Sequence, residues 1–484
     1  MAKAKAKAVK RDDSVEDVAA TMPSKRFIVD MLTRDISLND TILDLIDNCL
    51  DGVKRMGKEN ALSEFFVEIE FDGKSFKITD NCGGIPLDIA KESAFASGAP
   101  DHNSNKKPGM VGVYGIGMKR AIFKLGRDAV VTSRSFETYK MKKRCDFQVE
   151  INETWLDNKD WKPLDIKKIA VKGGAGTTIV VKKLNASTSS ILATKSAVSK
   201  LRKKVSRQFA LFLDRGFNIS IIGPGYDKKD GSLNSAGEFF ELSKSKDIQP
   251  FIAAGEVDGV KFEIYAGFIS DPARGKDEAP SSQFEDDKVR SGWTIACNDR
   301  IVLWRDRTHL TSWGANSVGM HHSQYNSIAG LVLLSGDPEL MPLTTTKSGV
   351  DMSHPLYHKL IQAMAAATRQ LTSITSKVKK DRDGYSDEFS KTQTQSVSQL
   401  RVISKSLVSK KSTANKLRGL PEAHVQEISF PTLVVPPKAK LKKITYSVDP
   451  KDFTTVSEYL EIKSAPKVGK ATFELILEDA QADE

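Results

Sequence analysis

Hydrophobic residues recur along this chain in two rhythms. Phe27, Ile28, Met31 and Leu32 follow spacings of three and four, which predicts a short helix, and Ile42, Leu45, Ile46 and Leu50 predict a longer one starting at Ser37 or Asn39. Residues 65–71 alternate instead, and 75–79 continue past Asp72-Gly73, a hairpin signature. Pro86 suits the first turn of a further helix. Residues 97–111, polar and rich in Gly and Pro, read as a loop. A glycine-rich stretch, Gly112 to Gly117, then opens a helical run over 118–125 closed by Gly126. Strand-like runs follow at 129–134, 147–151 and 177–182.

A long helix is expected over about 191–214, joining this unit to a second one with strands at 218–222, 260–269, 293–304 and 328–334. Past Pro355, Leu360, Met364, Ala367, Leu371, Ile374 and Val378 are spaced four and three alternately. That spacing fits a coiled-coil seam or an ordinary amphipathic helix. The expected organisation is a basic arm (1–22), a first α/β unit (23–190), a second (191–355), a basic helical or coiled-coil region (356–425), a Pro/Lys-rich linker (426–445) and a small terminal module (446–484).

Composition narrows this little. The 484 residues carry a formal net charge of +11, which suits a polyanionic partner without specifying one. Lys3, Lys5, Lys7, Lys10 and Arg11 make the arm a phosphate-contacting segment or a solvated tail, and residues 377–418 hold eleven Lys/Arg against four Asp/Glu. No run approaches the ~18 apolar residues of a membrane span, and no apolar segment follows the N-terminal lysines. The expectation is therefore an intracellular, cytoplasmic protein with no membrane partner. Cys49, Cys82, Cys145 and Cys297 lack zinc-site spacing and read as buried thiols, and His354 and His358 read as surface or packing residues.

Three segments carry candidate chemistry. Asp44, Asn48 and Asp51 are four and three apart, on one face of the second predicted helix. Such short oxygen-bearing side chains suit magnesium and a water, because magnesium takes oxygen ligands and keeps most of its waters. Taken alone, the same face reads as solvated. Asp80-Asn-Cys82-Gly83-Gly84-Ile85 follows a strand, where paired glycines turn tightly and a carboxylate can accept from an exocyclic amine. Gly112, Gly115 and Gly117 precede a helix whose first-turn N–H groups suit a phosphate, with Lys119 as an added cation. The spacing is neither a Walker loop nor a dinucleotide fingerprint.

In this order and spacing the three segments resemble the GHKL ATPase superfamily of gyrase B, the heat-shock chaperone ATPase, histidine kinases and MutL. Within it the chain looks most like MORC-like and bacterial stand-alone GHKL proteins. The resemblance covers residues 24–185 and extends more loosely to about 355. It implies an α+β fold: a Bergerat α/β sandwich, a ribosomal-S5-like transducer and a mostly helical C-terminal region. It implies ATP and Mg2+ as cofactors. Asn48 would ligate magnesium, Asp80 would read the adenine amine, Gly84 would make room for the base, and the hydroxyl of Thr177 would support Asp80. Gly112, Gly115, Gly117 and Lys119 would hold phosphates, with Asp51, Ile85, Val113, Tyr114, Ile116 and Met118 in the binding set. Residues 97–111 would be a lid bringing Lys106 and Lys107 to the nucleotide, and Lys347 would reach the γ-phosphate. Asn298-Asp-Arg300 resembles a transducer hairpin.

Two positions depart from the family. Asp44 stands where the general base is usually Glu, so hydrolysis is expected to be slow or absent, and Cys82 replaces the first glycine of its box. The implied function is an ATP-driven homodimeric clamp acting on nucleic acid through the arm and residues 377–418. The alternatives are a chaperone-like or scaffold ATPase, and an ATP sensor without turnover.

Overall fold

The computed structural model describes residues 23–96, 109–112, 115–137, 143–158, 163–170, 173–233, 239–274, 290–379, 381–409, 417, 419–433 and 442–482. The expected arm, residues 97–108 of the lid with Lys106 and Lys107, and Val113 and Tyr114 lie outside these residues. The chain forms two compact units, one through Leu433 and one from Val434.

A short helix, Lys25–Arg34 (α1), precedes Leu38–Arg55 (α2), which Ser37 caps by accepting from the Asp40 backbone N–H at 3.1 Å. Phe66–Phe71 (β1) and Phe76–Asp80 (β2) form the expected hairpin. Asp72 fixes its turn by accepting from the N–H groups of Lys74 and Ser75, both at 2.9 Å. Leu87–Ile89 (α3) runs on as a π-helical turn, Ala90–Ala94. Gly117–Leu125 (α4) passes directly into Gly126–Glu137 (β3), because Gly126 is extended and starts the strand. Lys143–Ile151 (β4), Glu153–Asp157 (α5), Ile166–Lys168 (β5) and Gly176–Leu184 (β6) follow.

The long helix expected over 191–214 is three: Ala186–Leu192 (α6), Lys195–Gln208 (α7) and Ala210–Asp214 (α8). Thr194 restarts the chain by capping α7 through the Ala197 N–H, and Phe209, outside helical geometry, separates α7 from α8. The next strand, Asn218–Ile222 (β7), was expected in the second unit. It instead closes the first sheet, parallel to β1, in the order β5-β4-β3-β6-β2-β1-β7. Val67, Ile69, Phe76 and Ile78 turn one face of that sheet onto Ile42, Ile46 and Leu50 of α2, Ala121 and Ile122 of α4, and Val198 and Leu201 of α7. The result is a two-layer α/β sandwich.

A second sheet follows. After Glu241–Lys244 (β8), which lies outside it, its strands are Phe251–Val257 (β9), Val260–Phe268 (β10), Gly292–Cys297 (β11), Arg300–Asp306 (β12) and Ile328–Ser335 (β13). Helix Pro355–Val378 (α9) buries Leu360, Met364, Ala367 and Leu371 against Phe262, Ile264 and Val332. The heptad-like seam is thus spent on the chain's own sheet.

The described part of residues 356–425, expected as a separate basic helical region, is built into the same layers. After Arg382–Ser390 (α10), Gln393–Ser396 (β14) pairs with β8. Val397–Ser409 (α11) sets Leu400 beside Tyr265 on the sheet's other face, and His424–Gln426 (β15) adds an edge strand to β9. The second compact unit contains Pro450–Tyr459 (α12) and Ala465–Ala482 (α13). Among the described residues no helix is long and apolar enough to cross a membrane.

Candidate functional site

The site lies where α2, the end of β2, the start of α4 and the loop after β13 converge on a cavity of about 220 Å³. Asp44, Asn48 and Asp51 all line it, as their spacing predicts. Their situations differ. Asn48 is exposed while its helical neighbours are buried. Asp51 accepts from the N–H groups of Val111 and Gly112, both at 2.8 Å, so its carboxylate shapes the glycine loop. Asp44 is ion-paired on both oxygens, to Arg120 at 2.5 Å and to Lys347 at 3.4 Å.

Asp80 sits at the floor, accepting from the Cys82 N–H at 2.7 Å and from the Cys49 thiol at 3.5 Å. Burial pushes its carboxyl up to about 6, although hydrogen bonds from Cys82, Cys49 and the backbone of Thr177 favour the ionised form. The structure thus puts the backbone of Thr177 on Asp80, where the resemblance assigned its hydroxyl. Gly84, at φ +70°, lines the cavity, yet a Cβ there would lie 2.2 Å from the Arg134 carbonyl oxygen. Close packing on β3 therefore demands this glycine, whatever space a ligand needs. Cys82 is buried, and burial pushes its thiol well above the ordinary range, which leaves it unreactive. All four cysteines are free and buried, and His354 caps α9 by accepting from the Leu356 N–H.

Gly112, Gly115, Ile116, Gly117 and Met118 line the opposite wall. The first turn of α4 has no side-chain cap and no acidic residue, so its N–H groups and dipole are available to an anion. Lys119 departs from expectation. Its ammonium donates to the Ala96 carbonyl, away from the cavity, and burial lowers its pKa to about 8. Arg120, one residue on, and Arg55 line the wall instead. The Nε of Arg120 is buried without a hydrogen-bond partner among the described residues.

Lys347 enters from the loop after β13. It has a left-handed backbone (φ +52°) and contacts Asp47 at 3.0 Å as well as Asp44. Ser348 pins this loop to α2 by donating to Asp40 at 2.6 Å. Sequence reasoning missed Arg120, Arg55 and Asp47. It also missed the apolar walls Ile78 and Ile179, which pair across β2 and β6 and offer flat contact to a ring. The signal for that pair was present: both precede a named polar residue by one alternation or follow it by one.

Residues 36–176 match the family described as Histidine kinase-, DNA gyrase B-, and HSP90-like ATPase. The matched stretch contains Asp44, Asn48, Asp80, the glycine loop and Gly176; Thr177 and Lys347 lie beyond it. This supports a GHKL-type ATPase domain, for which ATP is the ligand. No curated protein matches the chain.

Proposed function

We propose that the protein is an ATP-gated switch of the GHKL type, similar to the MORC-like and stand-alone members, in which the second sheet acts as an S5-like transducer. The observation that carries this reading is Lys347: a cation from beyond the second sheet is buried in the pocket, beside Asp44. ATP and ADP differ by one phosphoryl group, and a single added cation can distinguish them.

The donor set fits Mg·ATP. Among the described residues no group of three or more His, Cys, Asp and Glu could hold a metal, so magnesium would be held by the Asn48 amide oxygen and the nucleotide's phosphates. There it would neutralise phosphate charge. Asp80 would accept from the adenine amine, the N–H groups of Gly115 to Met118 would receive phosphate oxygens, and Arg120 and Lys347 would meet the terminal phosphate. Their release from Asp44 would free that carboxylate to orient water. Slow hydrolysis then reopens a homodimeric clamp acting on nucleic acid, with the basic arm and residues 377–418 contacting phosphates.

A second reading is favoured by the pairing of Asp44 with two cations: a nucleotide sensor that binds ATP without turnover. Phosphate release from wild type and Asp44→Asn, with and without DNA across a salt series, separates the readings. The clamp predicts release that needs Asp44 and a DNA stimulation that salt abolishes. Equal rates in both proteins would exclude Asp44 as the base.

A further inference from the structure

Lys347 is held in the pocket by residues that the ATP-binding motifs do not name. Its nearer acidic partner is Asp47 at 3.0 Å; Asp44 is at 3.4 Å. Asp47 is fully buried, and its other oxygen accepts from Arg300 Nε at 2.9 Å. Arg300 is fixed in turn: it stacks 4.2 Å from the Phe209 ring centroid and donates to the Gln208 side chain at 2.8 Å. It begins β12, directly after the Asn298-Asp299 turn. A rigid ion pair therefore joins the second sheet to α2 behind the pocket.

Charge matching gives this pair a purpose. Within the ion-paired cluster two carboxylates, Asp44 and Asp47, meet three cations, Arg120, Arg300 and Lys347. Arg300 neutralises Asp47 and Arg120 neutralises Asp44, which leaves the Lys347 charge for an anionic ligand. Asp51 is nearby, but its oxygens are taken by the N–H groups of Val111 and Gly112.

We propose that Asp47 and Arg300 are the positioning residues for Lys347, Asp47 anchoring the ammonium so that it can leave Asp44 for a terminal phosphate without leaving the pocket. This rests on the reading of Lys347 as the phosphate sensor. Without Asp47, Asp44 is the one carboxylate left within ion-pair distance of the ammonium among the described residues. It then closes onto that carboxylate, and so opposes both phosphate contact and water activation.

The test is calorimetric titration of the full chain with Mg·ATP and Mg·ADP. Lys347→Met is expected to lower the ATP-to-ADP affinity ratio about tenfold, one charge-assisted contact. Asp47→Asn should lower it to a similar degree, and Asp47→Asn/Lys347→Met should fall no further than Lys347→Met alone. Arg300→Lys, which keeps the charge but loses the fixed fork, should lower the ratio by a smaller factor, and it carries the comparison if Asp47→Asn does not fold. A wild-type ratio in Asp47→Asn or Arg300→Lys, with the ratio lost in Lys347→Met, would overturn the inference alone. A wild type indifferent to the terminal phosphate would overturn the sensor reading and the inference with it.

Discussion

The Lys347 ammonium lies 3.4 Å from the Asp44 carboxylate, and the Arg120 guanidinium closes the other side of that carboxylate at 2.5 Å. All three residues are buried. Breaking such a pair from one side leaves unmatched buried charge, at about 3–5 kcal/mol. Asp44→Asn should therefore lower the melting temperature of the nucleotide-free protein. ATP, whose phosphates can take up both cations, should restore it, so the ATP-induced rise should exceed that of wild type. Thermal scans with and without Mg·ATP check this; an equal rise in both proteins would contradict it.

Asp80 sets the pH dependence of binding. Burial raises its carboxyl to about 6 in the ligand-free pocket, and the ionised form is the stronger acceptor for an adenine amine. Above about pH 7 the group is ionised and affinity should be flat. Below about pH 6 ATP affinity should fall as the carboxyl protonates, by up to about tenfold per unit of pH, because the protonated group is the weaker acceptor. Titrations across this range test it, with inorganic tripolyphosphate, which lacks the amine, as a ligand that should not show the same break.

Backbone packing around Asp80 leaves no room for a side chain at Gly176, where a Cβ would meet the Asp80 carbonyl oxygen at 2.0 Å. Gly176→Ala should destabilise the fold by about 3 kcal/mol or more. Gly174→Ala is the control, since nothing lies within 4 Å of a Cβ there. Urea denaturation of the two variants measures the difference.

The glycine loop is held from both sides. Asp51 takes the N–H groups of Val111 and Gly112, and the Asn298 amide donates to the Met110 carbonyl at 2.8 Å and the Gly336 carbonyl at 3.1 Å. Asn298→Asp keeps a residue suited to the left-handed turn but removes both donors. Amide exchange at Val111 and Gly112 should quicken about tenfold or more, and ATP affinity should weaken in the same variant.

Local features were legible in the sequence, and contacts between distant segments were not. The α2 face, the β1–β2 hairpin and the glycine-to-helix junction follow from spacing and turn chemistry within a few residues. Lys119 and Arg120 occupy the same turn, so only the packed helix, with Ala96 as partner for Lys119, shows which cation faces the cavity. Asp47 reads as one more polar residue on α2 until Arg300, 253 positions away, is brought against it. Strand β9 carries no alternation, because its first four residues are all buried, and β7 joins the first sheet by a parallel pairing that periodicity does not encode. The α9 seam shows the converse: a heptad-like spacing appears wherever a helix packs along one stripe, whether the partner is a helix or a sheet.

Recognition of the base by Asp80 is central to the proposed pocket. In Asp80→Asn the buried charge is gone, so the protein should melt no lower than wild type, while the amide cannot satisfy the adenine amine as a carboxylate does. Calorimetric titration of this variant with Mg·ATP near neutral pH should show affinity lowered by at least about tenfold. A folded Asp80→Asn protein that binds ATP as tightly as wild type would contradict the pocket proposed here.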